Sequence, residues 1–269
     1  MMDKLVAYVD GIGLLGPGIH NWAEGRSILR EGVALSGQRT VYPAVASLPA
    51  AERRRSSAVV RLAITVGLEA AAQADVSPQD LPAVLASSGG DNYNCHAICE
   101  QLASDDKYIS PTRFHNSVTN APAGYWGIAT GSMESSTVIC ASDASFGAGL
   151  LESLAQVITD ERCCILMAYD TDYPEPLHSA RPIPDGFGVG LVLSPQPTSH
   201  TLTALAVTLS QDTAEGMQDK TLEALRATIP AARSLPLLGA IARGEAGRVV
   251  LDYLDTARIA VEVTPFSVE

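Results

Sequence analysis

Between residues 136 and 158 the chain gathers its best candidates for covalent chemistry. Ser136-Thr137-Val138-Ile139-Cys140-Ala141 is β-branched and apolar, Ser142-Asp143-Ala144-Ser145 is small and polar, and Gly147 to Ile158 has a helical texture. The pattern predicts a strand, a tight turn and a helix, with Cys140, Ser142 and Asp143 at or beside the turn. A thiol there would suit acyl transfer, because a thiolate is strongly nucleophilic near neutral pH and its thioester passes the acyl group on. Cys140 falls on the strand, however, where it should point into the sheet as a buried structural thiol. Cys163 and Cys164, on a later apolar run, read as core in the same way.

Acid–base chemistry also needs a proton carrier within hydrogen-bond reach. His20, His96, His115 and His178 precede Pro197, and only His200 follows it, in the stretch Thr198-Ser199-His200-Thr201. The five cysteines (Cys95, Cys99, Cys140, Cys163, Cys164) are an odd number without the paired spacing of a zinc site. They read as reduced thiols, mostly core, and no metal is expected. Gly11, Gly13 and Gly16 approach a dinucleotide fingerprint, but Pro17-Gly18 stands where its helix should begin, so no cofactor is expected either.

The elements that must position these groups alternate between strand and helix. Residues 5 to 10 predict a strand, which Gly11 to Gly18 should end in a loop. Ser56 or Ser57 can cap a helix with Val60, Leu62, Ala63, Val66, Leu68, Ala71 and Ala72 on its apolar positions. Leu81 to Ser88 predicts a buried strand ending in Ser87-Ser88-Gly89-Gly90-Asp91, with a helix over Ala97 to Ala103. Cys163 to Tyr169 and Gly186 to Leu193 predict two more buried strands. After Ser194-Pro195-Gln196-Pro197 the texture changes to one strand, two short helices and two final strands. Such alternation predicts a mixed α/β sheet covered by helices. Residues 1–195 form the main part, and 196–269, short for an independent domain, should complete the same sheet.

With 269 residues and 46% hydrophobic side chains, the chain can bury a large core. Its N-terminus lacks a basic region followed by a long apolar one, and no uncharged run could span a bilayer, which predicts a cytoplasmic protein. The net charge of -12, from 30 acidic and 18 basic residues, excludes nucleic acid and anionic membrane as natural partners. Arg53-Arg54-Arg55 is the one basic run and reads as a solvated turn before a helix.

The stretch from Ile109-Ser110-Pro111 through Ser117-Val118-Thr119-Asn120-Ala121-Pro122-Ala123-Gly124 to Cys140-Ala141-Ser142-Asp143-Ala144-Ser145-Phe146-Gly147 resembles β-ketoacyl synthases. There it crosses the dimer interface and climbs a strand to the nucleophile elbow. Val6 to Gly18 resembles the family's first strand and loop, and Arg181-Pro182 with Asp185-Gly186-Phe187-Gly188-Val189-Gly190 resembles the close of its N-terminal half. The resemblance implies a thiolase-like layered fold with a shortened C-terminal half. The family's elbow reads Ala-Cys-x-Ser, and here that place holds Asp143, or Ser142 if the match slips by one residue. The two catalytic histidines of the family's C-terminal half have no counterpart, since His200 lacks the family's surrounding pattern.

Loss of the cysteine, loss of both histidines and the short C-terminal half together resemble the chain-length-factor subunits that pair with an active ketosynthase. The short form resembles the truncated partners of aryl polyene and related type II systems. That resemblance implies no condensing activity by the chain alone, a catalytic ketosynthase partner in a heterodimer, and an acyl carrier protein reached through that partner, which would supply the basic docking surface. By position, Ser87, Ser88 and Asp91 fall where the acyl tunnel is gated, or else form an ordinary polar strand-end loop. Arg113 and Phe114 fall where side chains cross into the partner, and Asn116 and Asn120 should satisfy buried backbone groups nearby. Each two-carbon unit admitted adds about 1.5 kcal/mol of burial, so chain length becomes a matter of volume. Two alternatives stay open: a condensing enzyme or acyltransferase using Ser142 or Cys140, and a homodimeric acyl-binding scaffold.

Overall fold

The computed structural model describes residues 4–266. Its elements run β1 (Leu5–Leu15), α1 (Trp22–Glu31), α2 (Ala50–Arg55), α3 (Ala58–Gln73), β2 (Ala83–Ala86), α4 (Asn92–Ala103), α5 (Pro111–His115), α6 (Ala121–Thr130), β3 (Ser136–Ile139) and α7 (Ser145–Asp160). They continue through β4 (Cys164–Asp170), α8 (Leu177–Ala180), β5 (Phe187–Ser194), β6 (Thr203–Ser210), α9 (Lys220–Thr228), α10 (Leu235–Arg243), β7 (Gly247–Asp252) and β8 (Arg258–Pro265). All eight strands join one sheet in the order β3-β2-β4-β5-β1-β6-β8-β7. β3, β2 and β4 are parallel, and every pairing from β4 onward is antiparallel. The strands after residue 196 extend the same sheet beyond β1 rather than starting another.

The central strands β4 and β5 are buried along their whole length, which is why their sequences are continuously apolar instead of alternating. On one face, Leu85, Ile165, Met167 and Val192 pack under α3 and α6. On the other, Val84, Leu166, Leu191, Leu205 and Val261 pack against Leu150 and Leu154 of α7 and Leu237 and Ile241 of α10. Each such side chain contributes about 1.5–3 kcal/mol when fully withdrawn from water. The result is a layered α/β fold with helices on both faces, as the sequence predicts.

One expectation needs correction. β1 does not end at residue 10 but runs on to Leu15 through Gly11 and Gly13, with a bulge between Val9 and Gly11. A Cβ on Gly11 would overlap the Ala70 carbonyl, and one on Gly13 the Val66 carbonyl. These glycines let α3 lie directly on the strand; they do not mark a turn. No helix among the described residues is long and apolar enough to cross a membrane.

Candidate functional site

The strand, turn and helix predicted around residue 142 are present: β3 leads into a 3-10 turn, Ser142–Ala144, and then α7. Ser142 adopts φ 51, the left-handed region that a side-chain-bearing residue seldom occupies. Buried Ser145 holds the turn closed, its hydroxyl donating to the Ser142 carbonyl at 2.7 Å and accepting from the Ala141 N–H at 3.1 Å. Of the two positions that the sequence leaves open for the elbow, Ser142 therefore carries the strained backbone.

The groups around the elbow are basic and already engaged. Arg181 donates to Asp143 Oδ1 at 2.5 Å and to the Ser142 hydroxyl at 3.2 Å. Arg233 reaches Asp143 Oδ2 at 3.2 Å and Asp252 at 3.0 Å. Among the described residues no histidine hydrogen-bonds to Cys140, Ser142 or Asp143; His20, His96 and His200 face Glu24, Glu100 and Asp75 instead. An arginine cannot accept a proton from a serine near neutral pH, so neither Arg181 nor Arg233 is a base for Ser142.

Cys140 is exposed, contrary to expectation, because it follows β3, the edge strand of the sheet. Partial desolvation and the nearby Asp170 carboxylate push its thiol up, away from the reactive thiolate. Of the five cysteines only Cys164 is buried, and burial pushes it up to about 12. Cys95 and Cys163 are half-buried and Cys99 is exposed, so the thiols are not mostly core.

Ser87, Ser88 and Asp91 do come together at the end of β2, but the two serines face inward. Both hydroxyls donate to Asp170 Oδ1, from Ser87 at 3.3 Å and from Ser88 at 2.6 Å, and the Ser88 N–H adds a third bond at 2.8 Å. Asp170 Oδ2 accepts from the Ala231 N–H at 2.9 Å. Sequence reasoning missed Asp170; its one signal was an acid closing an otherwise apolar strand. Asp91 caps α4 by accepting from the Asn94 N–H at 3.0 Å.

Arg113 and Phe114 lie on α5, and Phe114 is 67% exposed. Arg113 helps line an open cleft of about 600 Å³ together with Arg54, Arg55, His96 and Asp91. Arg53, Arg54 and Arg55 thus belong to a short helix, α2, not to a turn, and the last two open onto this cleft. Asn116 is buried and donates to the Arg55 carbonyl at 3.1 Å, as expected, whereas Asn120 is exposed and forms no side-chain cap. No group of three or more His, Cys, Asp or Glu that could hold a metal occurs among the described residues.

Comparison with known proteins fits this geometry. In sequence no curated protein matches the chain. In structure it resembles a chain of the ketosynthase ApeO in complex with its chain length factor ApeC from Xenorhabdus doucetiae, with TM-score 0.71 and 22% identity over 96% of this chain and 99% of that one. It also resembles a chain of the ishigamide ketosynthase/chain length factor, with TM-score 0.74 and 15% identity over 97% and 100% of the two chains. A third likeness, with TM-score 0.76 and 10% identity over 98% and 100%, is to a chain of AntDE:AntF, a type II polyketide acyl carrier protein in complex with its ketosynthase. At these identities the likeness establishes the fold. The sequence pattern of the β-ketoacyl synthase N-terminal domain matches residues 22–241, and the chain belongs to that family.

Proposed function

We propose that this chain is a non-catalytic chain-length factor that pairs with an active β-ketoacyl-ACP synthase and shapes its acyl tunnel in a type II fatty acid or polyene pathway of the aryl polyene kind. The carrying observation is the elbow: a strand, turn and helix in which Arg181 and Arg233 hold Asp143 and, among the described residues, no histidine hydrogen-bonds to the turn. The named complexes support the same reading, two being ketosynthases with chain length factors and the third carrying a carrier protein.

The free edge of β3 offers backbone groups for a partner strand. Phe114, Val118 and Met133 are large, apolar and exposed, Met133 at 96%, and they supply the apolar area that a stable heterodimer needs. Half-buried Ser88 with Asp91, Arg113 and Phe114 then forms the wall presented to the partner's tunnel. Arg54 and Arg55, which open onto the same cleft as Arg113, suit the acidic surface of an acyl carrier protein, so this chain contributes basic surface of its own rather than leaving all of it to the partner. Residues 196–269 complete the domain begun by 1–195, and the protein works in the cytoplasm.

The experiment is a tagged pull-down from the native host with mass spectrometry of stoichiometric partners. Recovery of one cysteine-bearing ketosynthase in equal ratio, and condensing activity by the pair but not by either chain alone, is the expected result. Recovery of a homodimer with condensing or acyltransferase activity of its own would overturn it.

A further inference from the structure

We propose that Asp170 is the positioning residue of the chain-length wall: its carboxylate fastens the end of β2 to the turn Pro230–Ser234 and so holds the Ser87–Asp91 loop in register with the elbow. The inference rests on the chain-length reading above. Asp170 closes β4 and is 2% exposed. Its four donors come from two places remote in sequence, Ser87 and Ser88 at the end of β2 and Ala231 in the turn. Ala231 stands two residues before Arg233, whose guanidinium reaches Asp143 at the elbow. Ser87 extends the clamp along the loop, its hydroxyl accepting from the Gly90 N–H at 3.2 Å. Asp91 follows directly and caps α4, the helix that carries Tyr93 and Asn94 toward the partner-facing cleft.

A buried carboxylate is unfavourable unless donors surround it, and here they do. The same volume could be filled by an apolar side chain, but only a multiple acceptor can draw a loop and a turn toward one point. Two titratable groups feel its charge, Cys140 after β3 and Tyr169 on β4, and desolvation together with the Asp170 carboxylate pushes both up, so both stay neutral. Tyr173 reaches the Ser88 hydroxyl at 3.4 Å and not the carboxylate. No cation pairs with Asp170 among the described residues. Burial pushes its carboxyl up to about 6, against the opposing pull of Ser88, Ala231 and Ser87. The strength of the clamp therefore follows the protonation of this one group.

The test compares wild type with Asp170→Asn and Asp170→Glu, each reconstituted with the catalytic ketosynthase. Residue-resolved amide exchange from pH 5 to 8, corrected for intrinsic rates, reads the Ser88 and Ala231 N–H groups directly. Protection of both in wild type should fall together as pH rises through about 6, because the closed state holds this proton more tightly than the opened one does. In the Asn variant both should exchange roughly tenfold faster at neutral pH, without an inflection, while products spread over more chain lengths. The Glu variant, keeping the charge on a longer arm, should retain an inflection but move the product length. Unchanged exchange in the Asn variant overturns the clamp, and altered exchange with an unchanged product distribution in both variants overturns its role in the wall. If wild type joins no ketosynthase, the chain-length reading fails instead, and exchange in the free chain still decides whether the clamp exists.

Discussion

Asp143 and Arg181, 38 residues apart in sequence, meet at 2.5 Å at the head of α7, in the turn that the resemblance aligns with the family's nucleophile. Their pairing turns a reactive corner into a joint, because Arg181 also holds the Ser142 hydroxyl and Arg233 ties Asp143 to Asp252 at the end of β7. Asp143 is half exposed, so each ion pair contributes no more than about 0.2–1 kcal/mol. The arrangement locates the turn and adds little to overall stability.

Restoring a thiol at this corner should not restore chemistry. Ser142→Cys and Asp143→Cys are both expected to leave the isolated chain without condensing activity, since among the described residues no histidine hydrogen-bonds to the elbow to handle protons. Activity assays with carrier-bound acyl and malonyl groups check this. Turnover above background by either variant would mean that a base exists which the hydrogen bonds do not reveal.

Ser88→Phe should shorten the product of the reconstituted pair by one or two two-carbon units. The added ring removes volume at the loop, and an extra unit then meets a clash of on the order of 1–3 kcal/mol. Ser88→Ala is the control, because it also loses the bond to Asp170 but adds no bulk. Product profiles by mass spectrometry decide, and equal shifts in both variants would point to the lost hydrogen bond instead of volume.

Arg54→Glu with Arg55→Glu should slow association of the heterodimer with its carrier protein by roughly tenfold at low salt. The difference from wild type should shrink as ionic strength rises, since exposed charges are screened beyond about 10 Å at 0.1 M. Association rates measured across a salt series test it, and a salt-independent defect would indicate damage to the fold of α2.

Stability should carry a signature of Asp170 between about pH 4 and pH 6. Its folded-state pKa is raised, so the folded chain binds this proton more tightly than the unfolded chain does. The associated stabilisation is present in full below the unfolded value and is lost as pH rises through about 6. A shift of about two units corresponds to on the order of 3 kcal/mol. Asp170→Asn should flatten that part of the profile of unfolding free energy against pH, and a variant profile parallel to wild type throughout this window would refute the assignment.

Much of the architecture was legible because local rules agreed with one another. The apolar runs at 163–169 and 186–193 read as buried strands, and the small residues after Ile139 as a turn into a helix, and each forms as read. Glycines 11 and 13 misled for a physical reason: the absence of a Cβ serves a loop and a close helix contact equally well, and only the position of α3 distinguishes them. Cys140 misled because strand periodicity does not say whether a strand lies inside a sheet or at its edge.

The sequence by itself determined the order of the strands, the family likeness and the absence of a cysteine at the elbow, since each is carried by residues close together in the chain. Only the tertiary structure decided that Arg181 and Arg233 converge on Asp143, that Arg54 and Arg55 share a cleft with Arg113, and that Asp170 gathers donors from Ser87, Ser88 and Ala231. Those partners stand dozens of residues apart, and no local propensity records which distant groups a strand order will bring within 3 Å of one another.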